Sequence, residues 1–391
     1  MHPRIAPLWE ALPKPLQDVL ATVIDSALRV PIPAAPAPRA DEPIRLFIAP
    51  ANYAGQGYRW ARAVERAGHV TASNSVYAEI NPFGYPADYS VRGRTMTHSR
   101  RWQREQLAAL TSGFTHVLVE AQMPPLGGLW DQDVRRQIKA LQEGGVSVGM
   151  LCHGSDIRLP SRHAQHEQWS PFTADRWANV AELEDVTSKN RELLDELSLP
   201  SFVSTPGLLL DVPYAHLLPV VISVEPWASG HEVLVRDRPR VVHVPSNPLL
   251  KGTREIEGGL RRLHDEGLIE YLTISGRTHD EMPAIYGEAD IVLDQFRLGD
   301  YGAAACESMA AGRLVISHVS EHARHAVKQM CGLDLPILEA NIESLEDVLR
   351  DALRNRDAAR RLAQQGPAFA RAVHDGTLSS KVLHEHFLDV T

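Results

Sequence analysis

The chain has 391 residues, which is too long for one hydrophobic core and predicts two domains. Its 44% apolar and 23% charged residues are typical of a globular protein, and its net charge of −9 argues against a general nucleic-acid-binding protein. The three cysteines lack the paired spacing of a disulfide framework or zinc motif, and no apolar run reaches the roughly 18 to 20 residues of a membrane span. We therefore expect a cytoplasmic protein, with peripheral attachment to a membrane left open.

Residues 1–43 are predicted to form a helical extension followed by a linker. Residues 8–28 have an apolar stripe at helical spacing, interrupted by Pro13 and Pro15, which predicts a pair of short helices. Such helices pack on the body of the protein or on a second copy of the chain, so a homodimer is one reading. A membrane-surface helix is less favoured because the polar face is not basic. Residues 31–43, rich in proline and alanine, indicate an extended linker.

Residues 44–222 are expected to form the first domain, in which strands and helices alternate. Strands are predicted at residues 44–49, 115–120, 146–152 and 202–204, and helices at residues 58–67, 131–143 and 177–196. This alternation predicts a parallel sheet, whose ligands bind beyond the carboxyl ends of the strands. Residues 52–57 and 152–156 each follow a predicted strand, so both segments are candidate ligand-binding loops.

The second domain is expected at residues 240–368, after a linker at residues 223–239. Its predicted strands are residues 241–244, 269–274, 290–294 and 314–317, and its predicted helices are residues 253–265, 279–287, 302–311 and 343–364. Residues 369–391 are predicted to end the chain in a helix at 379–390.

Residues 289–317 are the most informative part of the sequence. The apolar strand at residues 291–293 leads into a loop containing Gly299 and Gly302, and a helix of small residues follows, with Glu307 near its start. Helix N-termini offer unpaired N–H groups and a favourable dipole to phosphate oxygens, and glycine permits close backbone approach. An acid one turn further can accept hydrogen bonds from a sugar diol. These parts indicate a sugar-nucleotide site, the alternative being an ordinary βαβ turn with a solvated glutamate.

This stretch resembles the donor site of retaining glycosyltransferases of the GT-B fold, the group 1 or family 4 type. That family has two glutamates separated by seven residues, followed by an alanine-rich helix and a strand. Residues 307–315, ESMAAGRLV, match the second half, whereas the position of the first acid is Gly299. The resemblance implies that Glu307 binds the ribose. Without the first acid, either the backbone of residues 299–302 binds the transferred sugar or no group at this position does.

The segment HVPSNPLLKGT, residues 243–253, also follows a predicted strand. Lys251 and Gly252 resemble the family's Lys-Gly pair, whose lysine contacts the donor diphosphate, and Ser246 lies where its hydroxyl could bind the same phosphates. A fixed ammonium stabilises the negative charge that grows on a departing diphosphate. The alternative reading is a solvated lysine at a helix start.

Residues 151–158, LCHGSDIR, resemble a His-Gly-Ser-Asp segment of the same family. The resemblance implies that His153 binds a hydroxyl of the transferred sugar and that Asp156 orients it. The alternative is that His153 bonds to local backbone while Asp156 caps a helix.

Two basic groups have weaker interpretations. Five arginines at residues 92–104, with His98, indicate either an acceptor bearing phosphate or carboxylate or, more simply, a solvated loop and helix face. His318, His322 and His325 have the spacing of one helix face, which suggests a metal site, but surface or hinge histidines are the preferred reading.

The sequence thus predicts an α/β protein of the GT-B fold. It would have two Rossmann-like domains with parallel sheets facing across a cleft, plus the N-terminal helical extension. The resemblance further implies that the C-terminal helix crosses back to the first domain. The implied activity is transfer of a sugar from a nucleotide-diphosphate sugar to an acceptor hydroxyl with retention of configuration. A sugar-nucleotide epimerase or hydrolase, and a catalytically silent nucleotide-sugar-binding protein, are the alternatives.

The predicted site residues fall into three groups. Those expected to bind the donor are Ser246, Asn247, Lys251, Gly299, Tyr301, Gly302, Ala303 and Glu307. Those expected to bind the acceptor or the sugar are Asn52, Gly55, Gly57, His153 and Asp156. The catalytic set is His153, Lys251 and Glu307. No metal and no cofactor besides the donor substrate is expected. The acceptor would be a small molecule, a lipid-linked compound or a glycan, and no nucleic acid is expected as a partner.

Overall fold

A computed structural model describes residue 9 and residues 11–27, 32–81, 84–173 and 177–390. The chain divides into two compact units, Met1–Leu151 and Cys152–Thr391. The domain and linker bounds given above stay predictions. Of the predicted N-terminal helix pair, the second helix is present at Lys14–Ala27, and most of the first lies outside the described residues.

The first sheet has seven strands in the order β3-β2-β1-β4-β5-β6-β7. Its strands are β1 Ile44–Ala49, β2 Val70–Tyr77, β3 Tyr89–Val91, β4 His116–Glu120, β5 Ser147–Cys152, β6 Ser201–Val203 and β7 His216–Leu217. The pairs β1–β2, β1–β4, β2–β3, β4–β5 and β6–β7 are parallel. Apolar runs such as Leu46, Phe47 and Ile48 in β1 are fully buried, as expected of a parallel strand covered on both faces.

Seven helices accompany this sheet in the described residues. They are α1 Lys14–Ala27, α2 Gln56–Ala67, α3 Gly93–His98, α4 Arg100–Gly113, α5 Val134–Glu143, α6 Pro160–His166 and α7 Val180–Leu197. No helix in the part of the chain that the structure describes is long and apolar enough to cross a membrane.

The second sheet has five strands in the order β12-β11-β10-β8-β9, all parallel to their neighbours. Its strands are β8 Arg240–His243, β9 Glu270–Thr273, β10 Ile291–Leu293, β11 Leu314–Ser317 and β12 Leu338–Glu339. Its helices are α8 Pro248–Lys251, α9 Thr253–Asp265, α10 Met282–Gly287, α11 Ala303–Ala310, α12 Glu321–Cys331, α13 Leu345–Arg354, α14 Arg356–His374 and α15 Thr377–Leu383. The single predicted helix at 343–364 is therefore two helices, α13 and α14, separated at Asn355.

Apolar side chains cover both faces of the second sheet. Val242 and Val292 point to one face, where they pack with Met309 and Phe369 of α11 and α14. Val241, Ile291 and Leu293 point to the other face and pack with α9 and α13. Helix α14 lies so close to α11 that a Cβ on Gly366 would come within 2.7 Å of the Met309 carbonyl oxygen. The packing therefore fixes α11 from its buried side.

Candidate functional site

The candidate site lies at the carboxyl edge of the second sheet. Strands β8 and β10 are neighbours in register, with His243 opposite Leu293. Strand β8 leads to α8 and Lys251, and β10 leads to a loop at residues 294–302 and then to α11. Because parallel strands end at the same edge, both connections lie where ligands of such sheets bind.

Lys251 forms an ion pair with Asp294, the first residue after β10. The lysine side chain is 13% exposed and the aspartate side chain is fully buried. The second Asp294 oxygen, Oδ2, accepts a hydrogen bond from the Gly302 N–H at 3.4 Å. Asp294 therefore holds the lysine ammonium beside the start of α11, an arrangement that the sequence did not predict for this aspartate.

Two neighbours of Lys251 were also predicted to bind the donor. The Asn247 Oδ1 accepts hydrogen bonds from the N–H groups of Leu249 and Leu250, at 3.1 and 3.3 Å, so its side chain caps α8. Ser246 is exposed in the preceding loop. Both residues lie on the same connection as Lys251, and their roles as ligands stay predictions.

The N-terminus of α11 contains three predicted donor-binding residues, Tyr301, Gly302 and Ala303. By helix geometry the first N–H groups have no partner within the helix. A Cβ on Gly302 would meet no atom within 4 Å, so the backbone here borders open space. The Tyr301 side chain instead lies in the core, with its hydroxyl 3.5 Å from His374 Nε2. Tyr301 is thus placed to contribute its backbone alone.

Glu307 lies one turn into α11 and is almost fully buried. Its Oε1 is 2.9 Å from His279 Nε2, and the His279 ring packs edge-on against Trp227 at 5.5 Å. Helix α11 therefore points Glu307 towards the turn after β9, where Thr278 and Glu281 form a capping box. Sequence reasoning did not find His279, although a loop after a predicted strand is a place to search for ligand contacts.

The loop at residues 294–302 is fastened by an earlier segment of the same unit. Arg158 Nη2 lies 3.0 Å from Asp300 Oδ2 in a buried ion pair, and the Gly207 N–H donates to the same oxygen at 3.1 Å. His163 Nε2 lies 3.3 Å from the Leu298 carbonyl oxygen. Burial, together with the Arg158 cation, lowers the pKa of His163 to about 3, so this ring is neutral. These contacts hold the loop in one conformation.

Gly299 of this loop lies directly against the carboxylate of Glu167. Gly299 has a φ of +61°, and a Cβ on it would overlap the Glu167 carboxylate. His318 Nε2 lies 2.8 Å from Glu167 Oε2, and His318 Nδ1 lies 2.7 Å from Glu339 Oε1. Burial lowers the pKa of His318, but its hydrogen bonds to the two carboxylates outweigh this and raise it to about 9. A cationic imidazole thus holds the Glu167 carboxylate against Gly299.

His153 lies at the end of β5, in a turn that Asp156 stabilises. The Asp156 Oδ1 accepts hydrogen bonds from the N–H groups of His153 and Gly154, at 3.0 and 2.5 Å. Asp156 therefore makes local backbone contacts, but it closes a turn and does not cap a helix, since α6 begins only at Pro160. The contact of the His153 ring with a sugar stays a prediction.

Asn52, Gly55 and Gly57 lie together in the first unit, between β1 and α2. The Asn52 N–H donates to the buried Glu120 carboxylate at 2.9 Å, and the Asn52 side chain bonds the Tyr58 N–H and the Pro86 carbonyl oxygen. The Asn52 side chain thus fastens the loop, and acceptor binding by these residues stays a prediction. Glu120 was missed, although it ends a predicted strand.

The histidines at positions 318, 322 and 325 do not form one helical row. His318 precedes α12 and bonds Glu167 and Glu339, whereas His322 and His325 lie within α12. Among the described residues, no group of three or more His, Cys, Asp or Glu side chains is arranged to hold a metal ion.

Solved structures of similar fold match most of the chain. Sucrose-phosphate synthase from Thermosynechococcus elongatus matches with a TM-score of 0.54 and 14% identity, over 88% of this chain and 98% of that chain. HepE from Anabaena, in complex with UDP and glucose, matches with a TM-score of 0.55 and 9% identity, over 87% and 98%. A glycosyltransferase from Rickettsia africae matches with a TM-score of 0.54 and 9% identity, over 89% and 98%.

No family model and no curated protein matches the sequence. The likeness to solved structures at these identities establishes the fold. Two parallel α/β sheets, of seven and five strands, confirm the predicted GT-B fold class.

Proposed function

We propose that the protein transfers a sugar from a nucleotide-diphosphate sugar to an acceptor hydroxyl, with retention of configuration at the anomeric carbon. The observation that supports this most directly is the meeting of Lys251, Asp294 and the N-terminus of α11 at one sheet edge. A cation beside unpaired backbone N–H groups suits a diphosphate. The names of the similar structures, among them a complex with UDP and glucose, point the same way.

The diphosphate oxygens would accept hydrogen bonds from N–H groups of Lys251 and of the first turn of α11. The lysine ammonium has three N–H donors, and the hydrogen bond to Asp294 uses one. The remaining two can bind phosphate oxygens without loss of the ion pair. The open space beside Gly302 gives the phosphate room against the backbone of α11.

The reaction then needs little from ionisable side chains. The bond between the anomeric carbon and the donor phosphate oxygen breaks, and a bond from the acceptor oxygen to the same carbon forms on the same face. A donor phosphate oxygen takes the acceptor proton. Lys251 and the α11 N–H groups stabilise the negative charge that grows on the departing diphosphate, and their fixed placement means that little reorganisation is required.

The nucleoside and the sugar would bind on either side of the diphosphate. Glu307 would accept hydrogen bonds from the ribose hydroxyls, in place of or beside His279. Glu167, held by His318 at Gly299, would supply the acid that the sequence lacks at that position. This arrangement weakens the main argument for a catalytically silent protein, which was the absence of an acid at residue 299.

A thermal-shift panel of nucleoside diphosphates and their sugar conjugates tests the proposal. One nucleotide should raise the melting temperature by mass action, and its sugar conjugate should release the diphosphate only when an acceptor is present. Release without any acceptor would favour a hydrolase or epimerase, and tight binding without turnover would favour a silent binding protein.

A pair of lysine variants locates the site. Lys251→Ala should abolish the thermal shift, whereas Lys328→Ala, which removes an exposed lysine paired with Asp334, should preserve it. Because Lys251→Ala leaves the buried Asp294 without its cation, the double variant Lys251→Ala/Asp294→Asn is needed to separate folding from binding. A full thermal shift in that double variant would contradict the assignment.

A further inference from the structure

Helix α1 exposes three large apolar side chains and buries Asp18 against the protein. Leu16, Val19 and Val23 are 45%, 59% and 57% exposed, and their spacing places them on one face of the helix. Asp18 and Ala21 are buried on the opposite face. A surface helix normally has the reverse arrangement, with apolar residues towards the core. The three exposed side chains are called the outer stripe below.

Polar contacts help to attach α1 to the first unit, beside the buried Ala21. Asp18 Oδ1 lies 3.0 Å from His98 Nδ1, and Asp18 Oδ2 lies 2.9 Å from Arg100 Nη2. The Arg94 Nη2 donates to the Ala21 carbonyl oxygen at 3.2 Å. These polar contacts lie on the face of α1 opposite to the outer stripe, whose side chains stay exposed.

The segment that supports α1 is strongly basic. Residues 89–104 contain five arginines and no aspartate or glutamate, in a chain whose net charge is −9. Within the described residues, Arg92 and Arg104 are exposed and form no ion pair. The polar face of α1 itself is not basic, which argued from sequence against a membrane helix. The structure adds positive charge from the segment next to α1, where Arg92 and Arg104 are exposed.

We propose that α1 lies on an anionic lipid surface. The outer stripe would enter the boundary between headgroups and acyl chains, and the exposed Arg92 and Arg104 would bind lipid phosphates. A second copy of the chain fits less well, because three half-exposed aliphatic side chains provide only a fraction of the ~800 Å² per partner that a stable dimer buries. The inference is independent of the proposed function.

Co-sedimentation of the full chain with lipid vesicles tests the proposal. The protein should sediment with vesicles of phosphatidylcholine and phosphatidylglycerol in equal parts, should not sediment with pure phosphatidylcholine, and should be released by salt because surface charges are screened. Failure to bind the anionic vesicles at low ionic strength would overturn the proposal.

Variants of the outer stripe test its role separately. Val19→Gln/Val23→Gln should reduce the vesicle-bound fraction about tenfold because the apolar contribution is lost. The matched control is Val186→Gln/Val235→Gln, which changes two valines of similar exposure, 44% and 54%, in the other unit. Unchanged binding by the stripe variant would overturn the proposal. So would a dimer in sedimentation velocity that the same variant converts to monomer, because the stripe would then be a self-interface.

The charge contribution has its own pair of variants. Arg92→Gln/Arg104→Gln should weaken binding to the anionic vesicles by about tenfold and reduce its salt dependence. Arg361→Gln/Arg371→Gln removes two exposed arginines of α14 that form no ion pair among the described residues, and it should bind as the unchanged protein does. An equal loss of vesicle binding in both variants would indicate unspecific electrostatic attraction. It would contradict the proposal that the face with α1 contacts the lipid. Melting temperatures verify that all four variants are folded.

Discussion

The carboxylate of Glu167 occupies the space that a side chain on residue 299 would fill. Two distant parts of the sequence thus produce one local arrangement: a glycine with a left-handed backbone and an acid held against it by His318. From the sequence alone, neither Gly299 nor Glu167 indicates that the other lies beside it. Together they show that the loop after β10 is shaped to admit a carboxylate from elsewhere in the chain.

Replacement of Gly299 by alanine should destabilise the protein for two separable reasons. The φ of +61° disfavours any L side chain, and the new methyl would collide with Glu167. We expect a loss of about 1–3 kcal/mol in the free energy of unfolding, measured by urea denaturation.

A matched glycine isolates the collision. Gly276 has a φ of +70° with no atom within 4 Å of an added Cβ, so Gly276→Ala incurs the backbone cost alone. In a Glu167→Ala background, the cost of Gly299→Ala should fall towards that of Gly276→Ala. Strict additivity of the Gly299 and Glu167 variants would show that the two residues are not in contact.

Glu167→Gln should lower kcat/KM of the proposed transfer by about 10- to 100-fold, as loss of a charged hydrogen bond to the sugar does. Glu339→Gln is the control, since it removes the other partner of His318 and leaves the acid at Gly299 in place. Steady-state kinetics with the donor identified by thermal shift provide the measurement. An equal loss in both variants would mean that Glu167 acts only through the charge of His318.

Glu307→Gln should weaken nucleotide binding by about tenfold, measured by titration calorimetry. The specific cause can be tested with the 2′,3′-dideoxy form of the same nucleotide. If Glu307 accepts hydrogen bonds from the ribose hydroxyls, the unchanged protein should prefer the ribonucleotide and the variant should largely lose that preference. A preference that persists undiminished would place the ribose elsewhere.

Three buried histidines should make the protein sensitive to acid. Burial lowers the pKa of His163 to about 3 and the pKa values of His243 and His374 to about 4. Their stabilising contribution is full above the unfolded-state pKa of roughly 6.5 and is lost as the pH falls through the folded-state values. Each should contribute on the order of 1 kcal/mol of lost stability per pH unit in that window. Urea denaturation at pH values from neutral downward measures how steeply the free energy of unfolding falls with pH. In His163→Gln this slope should correspond to one fewer proton taken up on unfolding. A free energy that does not change with pH would contradict the burial of these rings.

His318 should act in the opposite direction. Its pKa is raised to about 9, so its contribution to stability is full below roughly 6.5 and is lost as the pH rises through 9. The loss should amount to at most about 3 kcal/mol. His318→Gln should be less stable at neutral pH and should show a flatter decline on the alkaline side. Parallel alkaline profiles would show that His318 is not paired with the two glutamates.

Elements with a clear apolar pattern were predicted well from the sequence. The bounds of β1, α9 and β11 agree with the predicted residues 44–49, 253–265 and 314–317, because each is a periodic or continuous apolar run with polar flanks. Strand β2 was missed because its buried residues include Ser73, Asn74 and Ser75, which give no apolar signal. There the burial is set by the neighbouring strands and not by the residues themselves.

The site was predictable to the extent that its parts are local. Lys251 and Glu307 were expected at the carboxyl edge of the second sheet, and the structure places them on connections that leave that edge. Asp294 directly follows a predicted strand and could have been proposed from position alone. Glu167 and Arg158 could not, because their neighbours lie far away in the sequence and the contacts depend on how the chain folds back on itself.

Gly366 shows how a position remote from the ligand edge can decide the geometry there. It allows the backbone of α14 to pack against the Met309 carbonyl of α11, the helix whose N-terminus is proposed to bind phosphate. A single methyl group at residue 366 would push α11 outward as a rigid rod and shift Glu307 together with the N–H groups of the first turn. Natural variation at this glycine would therefore alter affinity at the proposed donor site without changing any residue proposed to bind the donor.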